Sequence, residues 1–460
     1  MSSINFLLTR FESAPDKVAL VQQGSRLTFG ELHQGVTKQI EWLKDSGVRC
    51  GDAVILLGDY SSRSVCIFLG LIELGCILIP LTPGVYDSLA KSLTEVAPTW
   101  HIDATIDEIT IARIPATVTL PYLYSTLHAS HAPGLVMFTS GSSGKPKAVV
   151  HDFSKLLEKF RTPRPAMITL NFLLFDHWGG LNTLLHALSN LCLVVFPDRR
   201  TPESICELIA LHRIELLPAT PSFLNLLLIS GAHLRHDMSS LRIISYGAEP
   251  MPASTLAKMR KAFTNVELRQ TYGMIELGVL RAKTRAVDSL WVKVGGEGYQ
   301  LRVVDGILQI KAESAMLGYI NAPSPFTSDG YLITGDLVEQ DGEWLRILGR
   351  QSDIINVGGQ KVYPAEVEAV ILEQSIVIDA VVYGESHPLT GKIVCADVVL
   401  SVGADETLSR KEIVRWCRQY LQPYKVPMKV RFVFGSLQTQ RLKRTRTQQA
   451  LKSIENEKCA

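Results

Sequence analysis

Phe138-Thr-Ser-Gly-Ser-Ser-Gly-Lys-Pro-Lys-Ala-Val-Val-His151 is the stretch on which the reading of this chain turns. Apolar residues flank it, Leu135 to Phe138 before and Ala148 to Val150 after, with hydroxyls, glycines and two lysines between. That pattern predicts strand, loop, strand. Gly141 and Gly144 free the backbone to curl so that successive N–H groups point inward, Thr139, Ser140, Ser142 and Ser143 add hydroxyl donors, and Lys145 and Lys147 add charge. Such a loop suits a polyphosphate, although a plain polar turn between two strands would use similar residues. The phosphate loop of nucleotide triphosphatases starts a helix at its lysine. Here Pro146 disfavours the helical region for Lys145 and a β-branched run follows, so spacing and context exclude that motif.

The stretch resembles Thr-Ser-Gly-Ser/Thr-Thr/Ser-Gly-x-Pro-Lys-Gly, the phosphate-loop signature of the acyl-adenylate-forming (AMP-binding) superfamily of acyl-CoA synthetases, peptide-synthetase adenylation domains and luciferases. Working outward from it, the 460 residues are enough for at least two domains. A net charge near +2 gives no general case for nucleic-acid or membrane binding. Eight scattered cysteines without Cys-x-x-Cys or metal-ligand spacing read as free thiols of a reducing compartment. The N-terminus lacks the features of a signal peptide, and the longest apolar run, near Cys66 to Pro80, is too short and interrupted to span a bilayer. A cytoplasmic protein without a membrane span is expected.

Along the chain, strands at Val18 to Gln22, Ala53 to Leu57 and Cys76 to Ile79 alternate with helices, one of them opened by a Thr28/Glu31 capping box and another at Ser61 to Leu74. After the central stretch come helices at Phe153 to Arg161 and up to Ser189, then a second strand–helix series from Cys192 to Ser245. The alternation predicts α/β architecture with largely parallel, helix-covered sheets. From Val292, short strands with glycine turns predict a small β subdomain. Beyond residue 350 a compact α+β domain is expected, with a helix starting at Pro364. The division is thus a large N-terminal adenylate-binding domain over residues 1–350 and a small mobile C-terminal domain over 351–460.

Further matches assign roles by resemblance. Tyr246-Gly-Ala-Glu-Pro250 lies beyond the carboxyl end of a strand, where ligands of open sheets sit; it resembles the adenine-contacting turn, with Gly247, Ala248 and Glu249 as matched positions. Gln270-Thr-Tyr-Gly-Met-Ile-Glu276 resembles Tyr-Gly-x-Thr-Glu, which implies that Tyr272 and Gly273 lie near adenine and that Glu276 helps hold Mg²⁺. Ile275 replaces the threonine whose hydroxyl touches the α-phosphate, and an isoleucine cannot donate that bond. Asp336, in Thr334-Gly-Asp336, matches the ribose-binding carboxylate, and Arg350 a ribose or phosphate contact. His177-Trp-Gly-Gly180 is similar to the His-x-x-Gly segment along the acyl pocket, which implies His177, Trp178 and Gly180 as pocket residues; a capping histidine explains His177 equally.

Ser352 stands at the hinge position, usually Asp or Lys, and Gly358-Gly359 resembles the loop along which CoA ligases pass the pantetheine arm. In Leu437-Gln-Thr-Gln-Arg-Leu-Lys-Arg-Thr-Arg446 the resemblance thins: Lys443 takes the place of the lysine that bridges carboxylate and α-phosphate, but the usual proline and glycine are missing. The resemblance implies an acid-thiol ligase that uses ATP and Mg²⁺, with Lys443, Glu276 and Lys147 catalytic. A small carboxylic acid is activated, and coenzyme A, a carrier-protein phosphopantetheine or an amine accepts the acyl group. The chain's length is similar to that of short acyl- and aryl-CoA ligases such as o-succinylbenzoate–CoA ligase. A degenerate adenylate-binding protein without turnover is the competing class, motivated by Ile275, Ser352 and the altered tail.

Overall fold

The computed structural model describes residues 3–106, 108–115, 118–139, 145–286, 289–296, 298–401, 403–433 and 437. Its large N-terminal part is built on two seven-stranded sheets. One runs in the order Glu267–Gln270, Ile243–Tyr246, Leu216–Ala219, Thr169–Leu170, Val194–Val195, Val18–Gln22, Ser25–Thr28, parallel until its last, antiparallel edge. The other is parallel across Gly134–Thr139, Ile77–Leu81, Ala53–Leu57 and Trp100–Asp103. Its margins depart from the parallel expectation: Lys147–Asp152 and Gly318–Tyr319 on one side and Thr110–Arg113 on the other are antiparallel. A connection as short as the one after Thr139 cannot carry a parallel crossover, which needs a dozen or more residues.

The alternation of strand side chains sorts the cores. Val54, Leu56, Leu135 and Met137 enter the core between the two sheets, whereas Ala53, Ile55, Val136 and Phe138 enter the one on the second sheet's other face. The inter-sheet core also takes Leu20 and Val194 from the first sheet and the buried faces of the helices Phe29–Asp45, Ser62–Glu73 and Trp178–Ser189. The capping box forms as expected: Glu31 N–H donates to Thr28 Oγ1 at 3.2 Å and Thr28 N–H to a Glu31 carboxylate oxygen at 2.7 Å. Helices Pro202–His212, Pro221–Ser230 and Ala253–Ala262 cover the outer face of the first sheet. The helix expected from Phe153 to Arg161 is regular only over Phe153–Leu157 and tightens to a 3₁₀ turn at Glu158–Phe160.

A six-stranded antiparallel sheet between Ala282 and Arg350 forms the β subdomain. After the short 3₁₀ turn Gln351–Asp353, residues from Ile355 onward build a separate core of Val362, Val367, Ile371, Val382, Val394, Val398 and Ile413. This C-terminal unit touches the first through Asn225 Nδ2, which donates to Ile378 O at 2.9 Å, and Lys258 Nζ, which donates to Leu372 O at 3.4 Å. The described cysteines are all free, and among the described residues no helix is long and apolar enough to cross a membrane.

Candidate active site

The two strands around the opening stretch pair in register, Thr139 opposite Lys147. Ser140, Gly141, Ser142, Ser143 and Gly144 lie outside the described residues, as does Lys443. The base of the hairpin is fixed by side chains that the sequence reading missed. Asn321 accepts from Ala148 N–H at 2.9 Å and donates to Pro146 O at 3.0 Å and to Glu95 at 2.7 Å, while Lys145 pairs with the other oxygen of Glu95 at 2.6 Å. Lys145 is therefore engaged at the base. Lys147 instead directs its ammonium over the Tyr319 ring, 5.1 Å from the centroid.

Tyr319 connects this hairpin to the carboxylates. Its strand Gly318–Tyr319 pairs with Val149 and Val150, and its hydroxyl donates to Glu276 Oε1 at 2.7 Å. Glu276 is 9 % exposed and Asp336 7 %. Asp336 accepts from Tyr272 OH at 2.6 Å and from Arg350 Nε at 2.7 Å, and Arg350 Nη1 also donates to Thr334 O at 2.7 Å. Burial pushes the Asp336 carboxyl up from its ordinary range, against the opposing pull of Arg350 and Tyr272. A carboxylate with two such partners still has lone pairs for ribose hydroxyls. Tyr319 closes one oxygen of Glu276 and leaves the other for a cation; Mg²⁺ is commonly held by one or two carboxylates plus phosphate oxygens, so the residues present fit it.

The turn after Ile243–Tyr246 abuts this cluster. Thr271 N–H and Oγ1 both donate to Tyr246 O, at 2.7 and 3.1 Å. A Cβ on Gly247 would come within 2.4 Å of Thr271 Oγ1 and 2.7 Å of its carbonyl oxygen, so only glycine fits there. Ala248 takes a left-handed φ of 70°, and Glu249 accepts from Ser222 Oγ at 2.5 Å. Ser222 was not singled out in the sequence, and nothing short of the fold brings the start of the Pro221–Ser230 helix to this turn. Tyr272 and Gly273 open a tight hairpin, Tyr272–Met274 against Gly278–Leu280.

His151, 1 % exposed, donates from Nε2 to Ile275 O at 2.6 Å, so the second strand of the hairpin sets the backbone between Tyr272 and Glu276. Burial lowers the His151 pKa to about 4 from 6.5. With the folded pKa below the unfolded one, the unfolded chain binds the proton first. The neutral imidazole thus contributes stability that is complete above about pH 6.5 and lost as pH falls towards about 4. His151→Gln is expected to flatten the pH dependence of the unfolding free energy in that window by up to about 1.4 kcal/mol per pH unit, as read by fluorescence-monitored urea unfolding. An unchanged slope would show that His151 titrates normally in the fold.

Ile275 itself is half-buried against the cores on either side of this hairpin. Ile275→Thr is expected to raise the adenylation rate by about fivefold, the worth of one net hydrogen bond of ~1 kcal/mol. An unchanged or lower rate in a pyrophosphate-release assay would mean that another donor already serves the α-phosphate.

His177 caps the Trp178–Ser189 helix, its Nδ1 accepting from Gly179 N–H at 3.1 Å. A Cβ on Gly180 would meet Leu174 O at 2.3 Å and Tyr60 Oη at 2.6 Å. Both residues thus have a structural reason to be where they are, while Trp178 is buried against the hairpin that carries Tyr272 and Glu276. Ser352 is in the 3₁₀ turn, its hydroxyl donating to Asp353 at 3.0 Å. Gly358 and Gly359 form the positive-φ turn between Ile355–Val357 and Gln360–Val362, with open space where a Cβ would project. The fold therefore gathers Lys147, Glu276, Tyr272, Asp336 and Arg350, adds Tyr319, and leaves the two glycines in open space.

Comparison with known proteins shows the family of the chain. The family model for AMP-binding enzymes matches residues 8–332 and that for the AMP-binding enzyme C-terminal domain matches 366–446. The chain belongs to the AMP-binding enzyme family. It is 27 % identical to the 2-succinylbenzoate–CoA ligase of Bacillus licheniformis, over 94 % of this chain and 96 % of that protein. Among solved structures, the fold is similar to the anthranilate CoA ligase AuaEII in complex with anthranoyl-AMP (TM-score 0.81, 20 % identity, 99 % of this chain and 97 % of that one). It is also similar to the amide bond synthetase McbA from Marinactinospora thermotolerans (TM-score 0.76, 23 % identity, 98 % and 99 %).

Proposed function

We propose that the protein is an AMP-forming acid-thiol ligase that activates a small carboxylic acid with Mg·ATP and passes the acyl group to coenzyme A. The observation that carries this reading is the convergence of Lys147, Tyr319, Glu276, Tyr272, Asp336 and Arg350 at one end of the sheets. Asp336 receives the ribose hydroxyls with Arg350 beside it, and the Gly247–Glu249 turn takes the adenine. Thr139, the Ser140–Gly144 loop and Lys147 hold the β- and γ-phosphates. Mg²⁺, held by Glu276 and phosphate oxygens, supplies charge neutralisation when bound. In the first half-reaction a carboxylate oxygen forms a bond to the α-phosphorus, the bond from that phosphorus to the bridging oxygen breaks, and pyrophosphate leaves. Lys443 neutralises the repulsion between carboxylate and α-phosphate. In the second, a thiolate adds to the acyl carbon and AMP departs with the bonding pair.

The near-complete overlap with a 2-succinylbenzoate–CoA ligase makes 2-succinylbenzoate the first acid to offer. Likeness to an amide bond synthetase keeps amines in the test. The assay offers each acid with coenzyme A, phosphopantetheinylated carrier protein or a primary amine, and follows pyrophosphate and acyl product separately. Thioester formed with coenzyme A in step with AMP is the expected result. Amide or carrier thioester alone would reassign the acceptor, and nucleotide binding without pyrophosphate release would make the chain a non-catalytic adenylate binder. Activity in the cytoplasm follows from the same reading.

A further inference from the structure

Lys159 lies in the 3₁₀ turn Glu158–Phe160 and points its ammonium inward, where it donates to Asn182 Oδ1 and, at 3.0 Å, to Val279 O. Aromatic rings flank it: the ammonium is 4.9 Å from the Phe160 centroid and 5.6 Å from that of Trp178. Among the described residues no carboxylate forms an ion pair with it. A desolvated cation without a counter-charge is costly, and such groups are ordinarily paired. A second donor in the same cluster is also unmatched: Trp178 Nε1 is buried and has no hydrogen-bond partner. Gly278, at φ +82°, leaves no side chain in front of that N–H; a Cβ there would come within 3.2 Å of it. Burial lowers the Lys159 pKa to about 7, as expected for an ammonium with no anion beside it.

The neighbouring His186, one turn beyond Asn182, does not supply the anion. It is held neutral, with burial and then Lys159, Arg164 and Arg269 lowering its pKa to about 4. The cluster thus offers donors and positive charge to whatever occupies it. A carboxylate accepts from a cation and an N–H together, donates nothing, and also supplies the missing counter-charge.

We propose that Lys159 and Trp178 Nε1 form a subsite for a second carboxylate of the substrate acid, the one that is not activated. This rests on the reading of Trp178 as a wall of the acyl pocket of an acid-thiol ligase. Asn182 and the Val279 carbonyl orient the ammonium, and Gly278 places no side chain against the indole N–H. A dicarboxylic acid such as 2-succinylbenzoate then binds with one carboxylate at Lys159 and the other at the α-phosphate. An acid without a second anion leaves Lys159 unpaired.

The test compares 2-succinylbenzoate with an analogue whose unactivated carboxylate is replaced by a primary amide of the same shape. Two readouts are used: kcat/KM for pyrophosphate release, and calorimetric binding beside α,β-methylene-ATP. The wild-type enzyme is expected to prefer the diacid by about 100-fold in both. Lys159→Met, similar in length and apolar, is expected to reduce that preference to about threefold or less, and Trp178→Phe to reduce it by about tenfold. The wild-type comparison involves no substitution and stands even if a variant fails to fold. Equal use of diacid and amide by the wild type, or an undiminished preference in folded Lys159→Met, would overturn the subsite while thioester formation left the ligase reading intact. A diacid binding preference abolished by Lys159→Met, without pyrophosphate release from any acid, would support the subsite and refute the ligase.

Discussion

Lys443→Ala is expected to lower acid-dependent adenylation by about 100- to 1,000-fold, the range seen when one donor to developing negative charge is removed. ATP binding should stay nearly intact, because the groups proposed to hold adenine, ribose and the β- and γ-phosphates, Gly247 to Glu249, Asp336, Arg350 and Lys147, all precede residue 351. The charge acts when the carboxylate and the α-phosphate, both anions, approach each other, so the loss belongs in kcat rather than in the dissociation constant of ATP. The comparison variants are Arg444→Ala and Arg446→Ala, two neighbouring cations of the same basic segment. If either is crippled and Lys443→Ala is not, the assignment of the lysine within the tail is wrong.

Ser352→Pro is expected to separate the two half-reactions. Under the proposed function Lys443 would have to reach the carboxylate during adenylation, and the Gly358-Gly359 turn would have to line the thiol's path afterwards. Both follow Ser352 in the chain, and the C-terminal core to which the turn belongs is distinct from those of the N-terminal part. The two glycines stand in open space in the conformation described, with the C-terminal unit resting on the Pro221–Ser230 and Ala253–Ala262 helices. On that reading one docking would not serve both tasks, and rotation about Ser352 would exchange them. Proline fixes φ near −65° at this position, roughly. We expect pyrophosphate release to persist and thioester formation to fall by at least about tenfold. Preformed acyl-adenylate given to the variant separates the cases: transfer to coenzyme A at the wild-type rate would show that the halves need no domain alternation.

Much of the frame was legible because it depends on local pattern. The fully apolar strands Ala53–Leu57 and Ile77–Leu81, the Thr28/Glu31 cap and the strand–loop–strand around Lys147 follow from short apolar runs bounded by turn residues and from capping chemistry. The side chains that the fold gathers could be singled out where they lie in a contiguous stretch, as with Tyr272 to Glu276 or Thr334 to Asp336. Tyr319 and Asn321 were not, since their role arises from a two-residue edge strand that pairs with a hairpin far away in the chain. No periodicity marks so short a strand. Glu95 escaped for the same reason, its partners Lys145 and Asn321 being remote in sequence. Lys159 was not singled out in the sequence; its inward contacts come from the Trp178–Ser189 helix and the Gly278–Leu280 strand, both remote in the chain.

The most direct test of the central claim is acid-dependent exchange of labelled pyrophosphate into ATP by the purified full-length chain with Mg²⁺ and 2-succinylbenzoate. Reversible adenylation predicts exchange that requires the acid, precedes any addition of coenzyme A, and drops by two orders of magnitude or so in Lys443→Ala. Exchange that is absent across a broad panel of carboxylic acids, in protein that still binds ATP, would contradict the assignment of this chain as a carboxylate-activating enzyme.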